Sequence, residues 1–270
     1  MTEAQPSDVG LLAVAVKAAR AAGREIAERL GQERDVRVKG LRDLVTDADL
    51  AAQEVLLSAI RAHFPSHTIL SEEAPGGGTP SGTTWVLDPL DGTSNYAHRF
   101  PCFSVSIGVM DDDGPLAGVV YDPLREHLFT TERGRGASLN DRLIHVSAIA
   151  DPIDAIVGLD FARDPDARRE LMGRLSALAP HVHTFRSIGS AALGLCYVAA
   201  GWLDGYFHVS LAPWDSAAGV LMVSEAGGTV TDLGGNPWAF GLPRCMAANR
   251  RLHAQLLRLQ GSHRSQSREG

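Results

Sequence analysis

The chain has few cysteines, no basic cluster and no long apolar run, and each of these absences narrows what it can be. Cys102, Cys196 and Cys245 are scattered, odd in number and without CxxC spacing. That argues against a disulfide framework and leaves reduced, buried thiols. No run of five or more basic residues occurs, and the net charge is −7. Neither nucleic acid nor an anionic membrane is therefore an expected partner. The early apolar stretch Leu11 to Val16 is cut by Lys17, far short of the ~20 residues of a membrane span. The start, MTEAQPSDVG, is polar and acidic rather than a signal peptide, so a cytoplasmic location is expected. No internal repeat is visible.

What remains is an ordinary globular composition, 44% hydrophobic and 21% charged over 270 residues, enough for a sizeable core. One domain is expected over 1–260, with subdomains of about 1–150 and 151–260 meeting near Asp151-Pro152, and a disordered polar tail over 261–270. Helical periodicity covers 8–30, with Ser7 or Asp8 as cap, and a second helix is predicted from Asp49 to His63. The glycine-rich segment 74–83 reads as a flexible loop. Period-two patterning then predicts strands at Ser104–Met110, Leu116–Tyr121 and Leu128–Thr131. Asp111-Asp112-Asp113-Gly114 forms the turn between the first two. Those three acids lack the twelve-residue calcium-loop pattern and read as a solvated turn. The second half alternates: strands at Ala155–Leu159, Leu203–Val209 and Thr229–Asp232, helices at Pro165–Leu178, Ser190–Ala200, Trp214–Ala226 and Ala248–Leu259. The pattern suggests a layered α+β/α sandwich.

The most informative run is WVLDPLDGTSN, residues 85–95. An apolar strand delivers Asp88 and Asp91, kinked by Pro89, onto a Gly92-Thr93 turn. Two acids so placed pack poorly, but they suit divalent cations beside backbone N–H groups that can grip an anion. Asp49, Glu72 and Asp215 also sit at element boundaries. Asp49 or Asp215 alone is equally well explained as an acid at a helix start. Five clustered carboxylates would repel one another by about 4 kcal/mol per pair at ~4 Å in an effective dielectric near 20. Divalent cations would relieve this, and all-oxygen ligands with no nearby His or Cys favour Mg²⁺ or Mn²⁺ over zinc. A haloacid-dehalogenase-type aspartyl-phosphate route needs acids two residues apart, whereas Asp88 and Asp91 are three apart with Pro89 between.

DPLDGTSNY (88–96), followed by WDSAAGVLMVSEAGG (214–228), resembles the signature pair of the inositol monophosphatase family. DLVTDAD (43–49) and ILSEE (69–73) resemble its two other acidic motifs, so the likeness spans about Lys39 to Gly228. The resemblance implies an αβαβα sandwich with mixed sheets, of the inositol monophosphatase and fructose-1,6-bisphosphatase type. It implies a homodimer, Mg²⁺-dependent hydrolysis of phosphate monoesters, inositol 1-phosphate foremost, and lithium sensitivity. It also implies roles. Glu72, Asp88 and the carbonyl of Leu90 would hold a first metal; Asp88, Asp91 and Asp215 a second; Glu72 would share in a third. Asp49 and Thr93 would orient and deprotonate the attacking water, with Glu72 beside them. The N–H groups of Gly92 and Thr93 would bind phosphate, and Asp91, Ser190, Ala191, His208 and Asp215 would meet the rest of the substrate. Lys39 would lie in a mobile loop.

His208 stands where the family commonly has a hydroxyl-binding glutamate. It can donate or accept one hydrogen bond, or simply be a half-buried strand-end histidine. Histidinol-phosphate, fructose-1,6-bisphosphate and phosphoadenosine-phosphate phosphatases of the same fold stay open as alternatives. Arg186 as the one arginine or lysine between Pro180 and Asp215 argues against the bisphosphatases. A role as a protein-interaction module also stays open, since some bacterial family members bind the transcription machinery.

Overall fold

The alanine-rich stripe after Gly10 forms α1 (Leu11–Arg29) in a computed structural model that describes residues 10–32, 35–74 and 82–266. Ala15, Ala18, Ala19, Ala22 and Ile26 recur at helical spacing and are buried. The predicted caps Ser7 and Asp8 lie outside the described residues. An antiparallel hairpin follows, β1 (Val36–Gly40) and β2 (Asp43–Thr46). No strand was expected here, because β1 is exposed along its whole length and carries no buried face to pattern. The second helix, α2 (Asp47–His63), begins two residues before Asp49 because Thr46 caps it: the Ala48 N–H donates to Thr46 Oγ1 at 3.2 Å.

A seven-stranded sheet runs in chain order from β3 (Thr68–Ser71) and β4 (Thr84–Asp91) through β5 (Ser104–Asp111), β6 (Gly114–Asp122) and β7 (His127–Glu132) to β8 (Ala137–Leu139) and β9 (Arg142–Ile144). Only β3 and β4 pair in parallel. The β5–β6 turn falls at the acidic triplet, where Arg133 Nη2 holds Asp111 Oδ1 at 2.7 Å, so these acids serve the turn. The short helix α3 (Thr93–Ala97) leaves β4 at once.

The second sheet has the order β11-β10-β12-β14-β13, with β10 (Ile156–Leu159), β11 (Thr184–Ser187), β12 (Gly205–His208), β13 (Gly228–Thr231) and β14 (Cys245–Asn249). β10 lies parallel to both β11 and β12, and β14 antiparallel to its neighbours. Its helices are α4 (Pro165–Leu178), α5 (Ala191–Ala199), α6 (Pro213–Glu225) and α7 (Arg250–Gln266). Ala248, expected to open the last helix, belongs instead to β14. The helix runs past the expected Leu259, and residues 267–270 of the predicted tail lie outside the described residues.

Alternation along the strands sorts the layers. Trp85, Leu87, Val105, Ile107 and Val119 face α1 and α2. Val120 and Phe129 face α5 and α6 on the other side. Val157, Leu159, Phe207 and Met246 meet α4 and α7. The result is the predicted αβαβα sandwich, in which α5 is apolar on every side because sheets lie on both of its flanks. Each fully buried Leu or Ile in these layers contributes about 1.5–3 kcal/mol. Close docking of α6 needs glycine in the sheet: a Cβ on Gly108 would lie 2.8 Å from Ala217, and one on Gly118 3.1 Å from Ala218. Cys102, Cys196 and Cys245 are buried and unpaired. Among the described residues no helix is long and apolar enough to cross a membrane.

Candidate active site

β4 is buried along its full length and ends in the acids. Its register against β5 breaks between Asp88 and Asp91, where Pro89 cannot donate to the ladder. Asp88 Oδ1 closes the break by accepting the Leu90 N–H at 3.0 Å. Gly92 then turns the chain at φ 94°, and a Cβ there would meet Cys102 O and Gly189 O at 3.0 Å each. Only glycine combines that backbone with that contact. Thr93 opens α3 directly behind it.

Three layers converge on this corner. Carboxylate oxygens of Asp88, Asp91 and Asp215 lie within 4.8 Å of one another. Asp215 comes from the first turn of α6, where its Oδ2 accepts the Ala212 N–H at 2.7 Å. Asp91 sits at the start of α5: it accepts the Ser190 hydroxyl, the Ala192 N–H at 2.9 Å and the Ala191 N–H at 3.3 Å. Glu72 follows β3, tied beside β4 by its N–H to Leu87 O at 3.1 Å. It lines the same cleft without joining the tight triad. Lys39 Nζ bridges Glu73 at 2.5 Å and Glu72 at 3.5 Å.

Asp49 does two things at once. Its Oδ2 accepts the Thr46 N–H and hydroxyl at 2.8 and 2.6 Å, completing the helix cap. Its Oδ1 lies 3.0 Å from Thr93 Oγ1, which is also 3.0 Å from Leu90 O. The Thr93 hydroxyl has one proton for these two acceptors and keeps its lone pairs for another donor.

Burial dominates the electrostatics. It pushes Asp49 up to about 6 against the hydrogen bonds from Thr46 and Thr93. It pushes Asp91 up to about 7 against those from Ser190 and Ala192, and Asp215, helped by Asp91, up to about 8. Asp88 is driven well above the carboxylate range by burial, then by Glu72, Asp91 and Asp215. Acids that hold protons this strongly for want of a counter-charge are what a divalent cation would relieve. The all-oxygen set fits a hard cation.

The cleft of about 500 Å³ is lined by Glu72, Asp88, Leu90, Asp91, Gly92, Thr93, Ser190, Ala191, His208 and Asp215, with Asp49 buried behind Thr93. The structure thus brings together every expected site residue except Lys39, which stands behind Glu72 and does not line the cleft. His208 is 6% exposed, and its Nδ1 accepts the Ser210 N–H at 3.0 Å. Burial lowers its pKa to about 4, so it is neutral.

Sequence reasoning missed the cleft's cations. Arg186, weighed against a second anion site, hydrogen-bonds Thr184 and Phe185 O. The cleft is lined instead by Arg42, Arg163 and Arg168, with Asp160 nearby. Arg42 comes from the unexpected β1–β2 turn. Asp160 and Arg163 follow β10, the parallel strand whose carboxyl end opens on the cleft. That position was the one available signal, since α/β sheets bind ligands there.

A corner of buried acids between two sheets, backed by a Thr–Asp pair, defines a metal-dependent hydrolase-type site on an αβαβα scaffold. The chain matches the family described as "Inositol monophosphatase family" over residues 9–265 and belongs to it. A relative from Escherichia coli K12, named Nus factor SuhB, is 43% identical over 229 residues, 83% of this chain and 86% of the relative. Among solved structures, the extragenic suppressor protein suhB of Bartonella henselae superposes with a TM-score of 0.87 at 37% identity, covering 92% of this chain and 96% of that one. An inositol monophosphatase from Anabaena (Nostoc) gives 0.83 at 37% identity, covering 93% and 95%.

Proposed function

We propose that this chain is a Mg²⁺-dependent phosphate monoester hydrolase, with inositol 1-phosphate as its reference substrate. The observation that carries the reading is the convergence of Asp88, Asp91 and Asp215 within 4.8 Å beside a Thr93–Asp49 contact of 3.0 Å. Glu72, Asp88, the Leu90 carbonyl, Asp91 and Asp215 would hold two to three Mg²⁺ ions, or Mn²⁺, which when bound supply Lewis acidity and a more acidic water. Thr93 Oγ1 takes a proton from the attacking water as it passes its own to Asp49 Oδ1. Burial, by lifting Asp49 to about 6, suits it to receive that proton near neutral pH. The backbone N–H groups of Gly92 and Thr93 hold the phosphate. Asp91, Ser190, Ala191, His208 and Asp215 face the alcohol part. Lys39 lies in β1 rather than in the expected loop, where it neutralises Glu72 and Glu73; the same reading includes lithium sensitivity and a homodimer in the cytoplasm.

The test is phosphate release from inositol 1-phosphate by purified protein with and without Mg²⁺. Metal-dependent turnover is expected; no turnover of any monoester by folded, metal-supplied protein would overturn the reading. A second reading rests on the name Nus factor carried by the E. coli relative: a regulatory protein of transcription. The complete acidic set supports catalysis in either case. Association with a transcription complex by protein inactive on every monoester would favour the second reading.

A further inference from the structure

Beyond the four acids of the metal corner, the charged side chains that line this cleft are three arginines and Asp160. Asp160 is the one other carboxylate in the lining, and its oxygens are taken. Oδ1 accepts from Ser187 Oγ at 3.3 Å, Ile188 N at 2.7 Å and Gly189 N; Oδ2 accepts the Tyr206 hydroxyl at 2.8 Å. It shapes the turn before α5 and is not free to receive a substrate hydroxyl.

His208 is the opposite of an acceptor. The Ser210 N–H donates into Nδ1, so the proton of the neutral ring sits on Nε2. Nε2 has no partner among the described residues, on a side chain that is 94% buried and lines the cleft. The cleft therefore meets an N–H donor at this position, and a carboxylate or phosphate oxygen is a stronger acceptor for it than a neutral hydroxyl.

Three guanidinium groups stand in the same lining. Arg42 spends one nitrogen on Arg163 O at 2.9 Å and is otherwise exposed. Arg168 spends Nε on Ala162 O at 2.7 Å and stacks 5.4 Å over the Phe161 ring, which orients its remaining donors. Arg163 bridges Asp43 at 2.9 Å and reaches Glu72 at 3.5 Å. Asp43 offsets one of the three charges, and a surplus of positive charge remains on the rim. Guanidinium groups and an N–H donor match a carboxylate or phosphate far better than they match hydroxyl groups.

We propose that the cleft selects phosphate monoesters whose alcohol part carries a second anionic group, held by the Arg42, Arg163 and Arg168 rim and the His208 Nε2–H. This rests on the phosphatase reading and names its substrate class. Polyol phosphates with hydroxyl groups alone are turned over less efficiently, since a neutral hydroxyl accepts from guanidinium groups more weakly than an anion does.

Two matched pairs test this on the full chain with Mg²⁺: 2-phosphoglycerate against glycerol 2-phosphate, which differ by a carboxylate, and fructose 1,6-bisphosphate against fructose 1-phosphate, which differ by a phosphate. A kcat/KM ratio of about tenfold or more is expected in favour of the second anion, and the pair that shows it tells which anion is read. The double substitution Arg42→Gln/Arg168→Gln should bring that ratio below about threefold, chiefly by raising KM for the two-anion substrate. Calorimetric binding of the same pairs to Thr93→Ala protein gives a readout without turnover and should show the same order. Equal kcat/KM within both pairs, or a ratio untouched by the double substitution, overturns the inference while leaving the phosphatase reading intact. Absence of all turnover overturns the phosphatase reading instead, and the binding comparison then decides this one alone.

Discussion

The carboxylate of Asp91 accepts the hydroxyl of Ser190 across 99 residues of chain, and the Ala192 N–H at 2.9 Å beside it. One side chain thus closes the end of β4 against the start of α5. The first sheet brings the acid, and the central helical layer brings the partially positive helix end that receives it. Any movement of α5 relative to the first sheet would be felt at a proposed metal ligand, so the site is rigid only while both layers stay packed.

Asp88 sits at the centre of the cluster, and all four of the site acids around it raise its proton affinity. Asp88→Asn is expected to lower kcat by about three orders of magnitude or more, because the proposed shared ligand of the cations is lost. The fold should survive, since the amide is uncharged and nearly isosteric. Steady-state kinetics together with a circular dichroism melt check this; near-normal turnover would remove Asp88 from the site.

Thr93 reaches Asp49 rather than the acid triad. Thr93→Ala should therefore cut kcat by about 10²–10⁴ while changing metal affinity little. Calorimetric Mg²⁺ titration beside kinetics separates the two, and a large loss of metal binding with modest loss of turnover would contradict the water-activating role.

Exchanging His208 for glutamate turns a donor into an acceptor at a buried position in the cleft. His208→Glu is expected to shift the kcat/KM ratio toward inositol 1-phosphate over 2-phosphoglycerate by about tenfold. An unchanged selectivity profile would mean that the side chain does not meet the substrate.

The metal-free protein should lose stability as pH rises from about 4 to about 8. Asp49, Asp91 and Asp215 keep their protons up to about 6, 7 and 8 in the folded chain, whereas the unfolded chain releases them near 4. In that window the folded state binds more protons, so the unfolding free energy falls with rising pH; below about 4 both states are protonated and the penalty vanishes. Mg²⁺ should reverse the loss, raising Tm by roughly 5 °C or more at pH 8 and little at pH 5. Differential scanning fluorimetry across pH with and without Mg²⁺ reads this directly, and a metal-free Tm that climbs over the same range would refute the crowded-acid description.

Local signals carried the elements that have them. The α4 range Pro165–Leu178 was legible because Asp164 accepts the Ala167 N–H and Pro165 pre-sets the first turn. The hairpin β1–β2 was not, because an exposed ladder leaves no buried period-two trace. β14 was not legible either: Cys245 to Ala247 are too few and too small to pattern a strand, and Ala248 reads equally well as the start of the helix that follows.

The sequence alone determined the acidic corner: Asp88, Asp91, Gly92 and Thr93 are neighbours in the chain, and their order writes a strand end, a kink and a glycine turn. Which groups face that corner across the cleft was decided only by tertiary structure. Arg42 and Arg163 lie 121 residues apart and meet because a hairpin turn and the carboxyl end of a parallel strand open on one space. The proton on His208 is placed by the Ser210 backbone N–H, a contact whose geometry no residue type specifies.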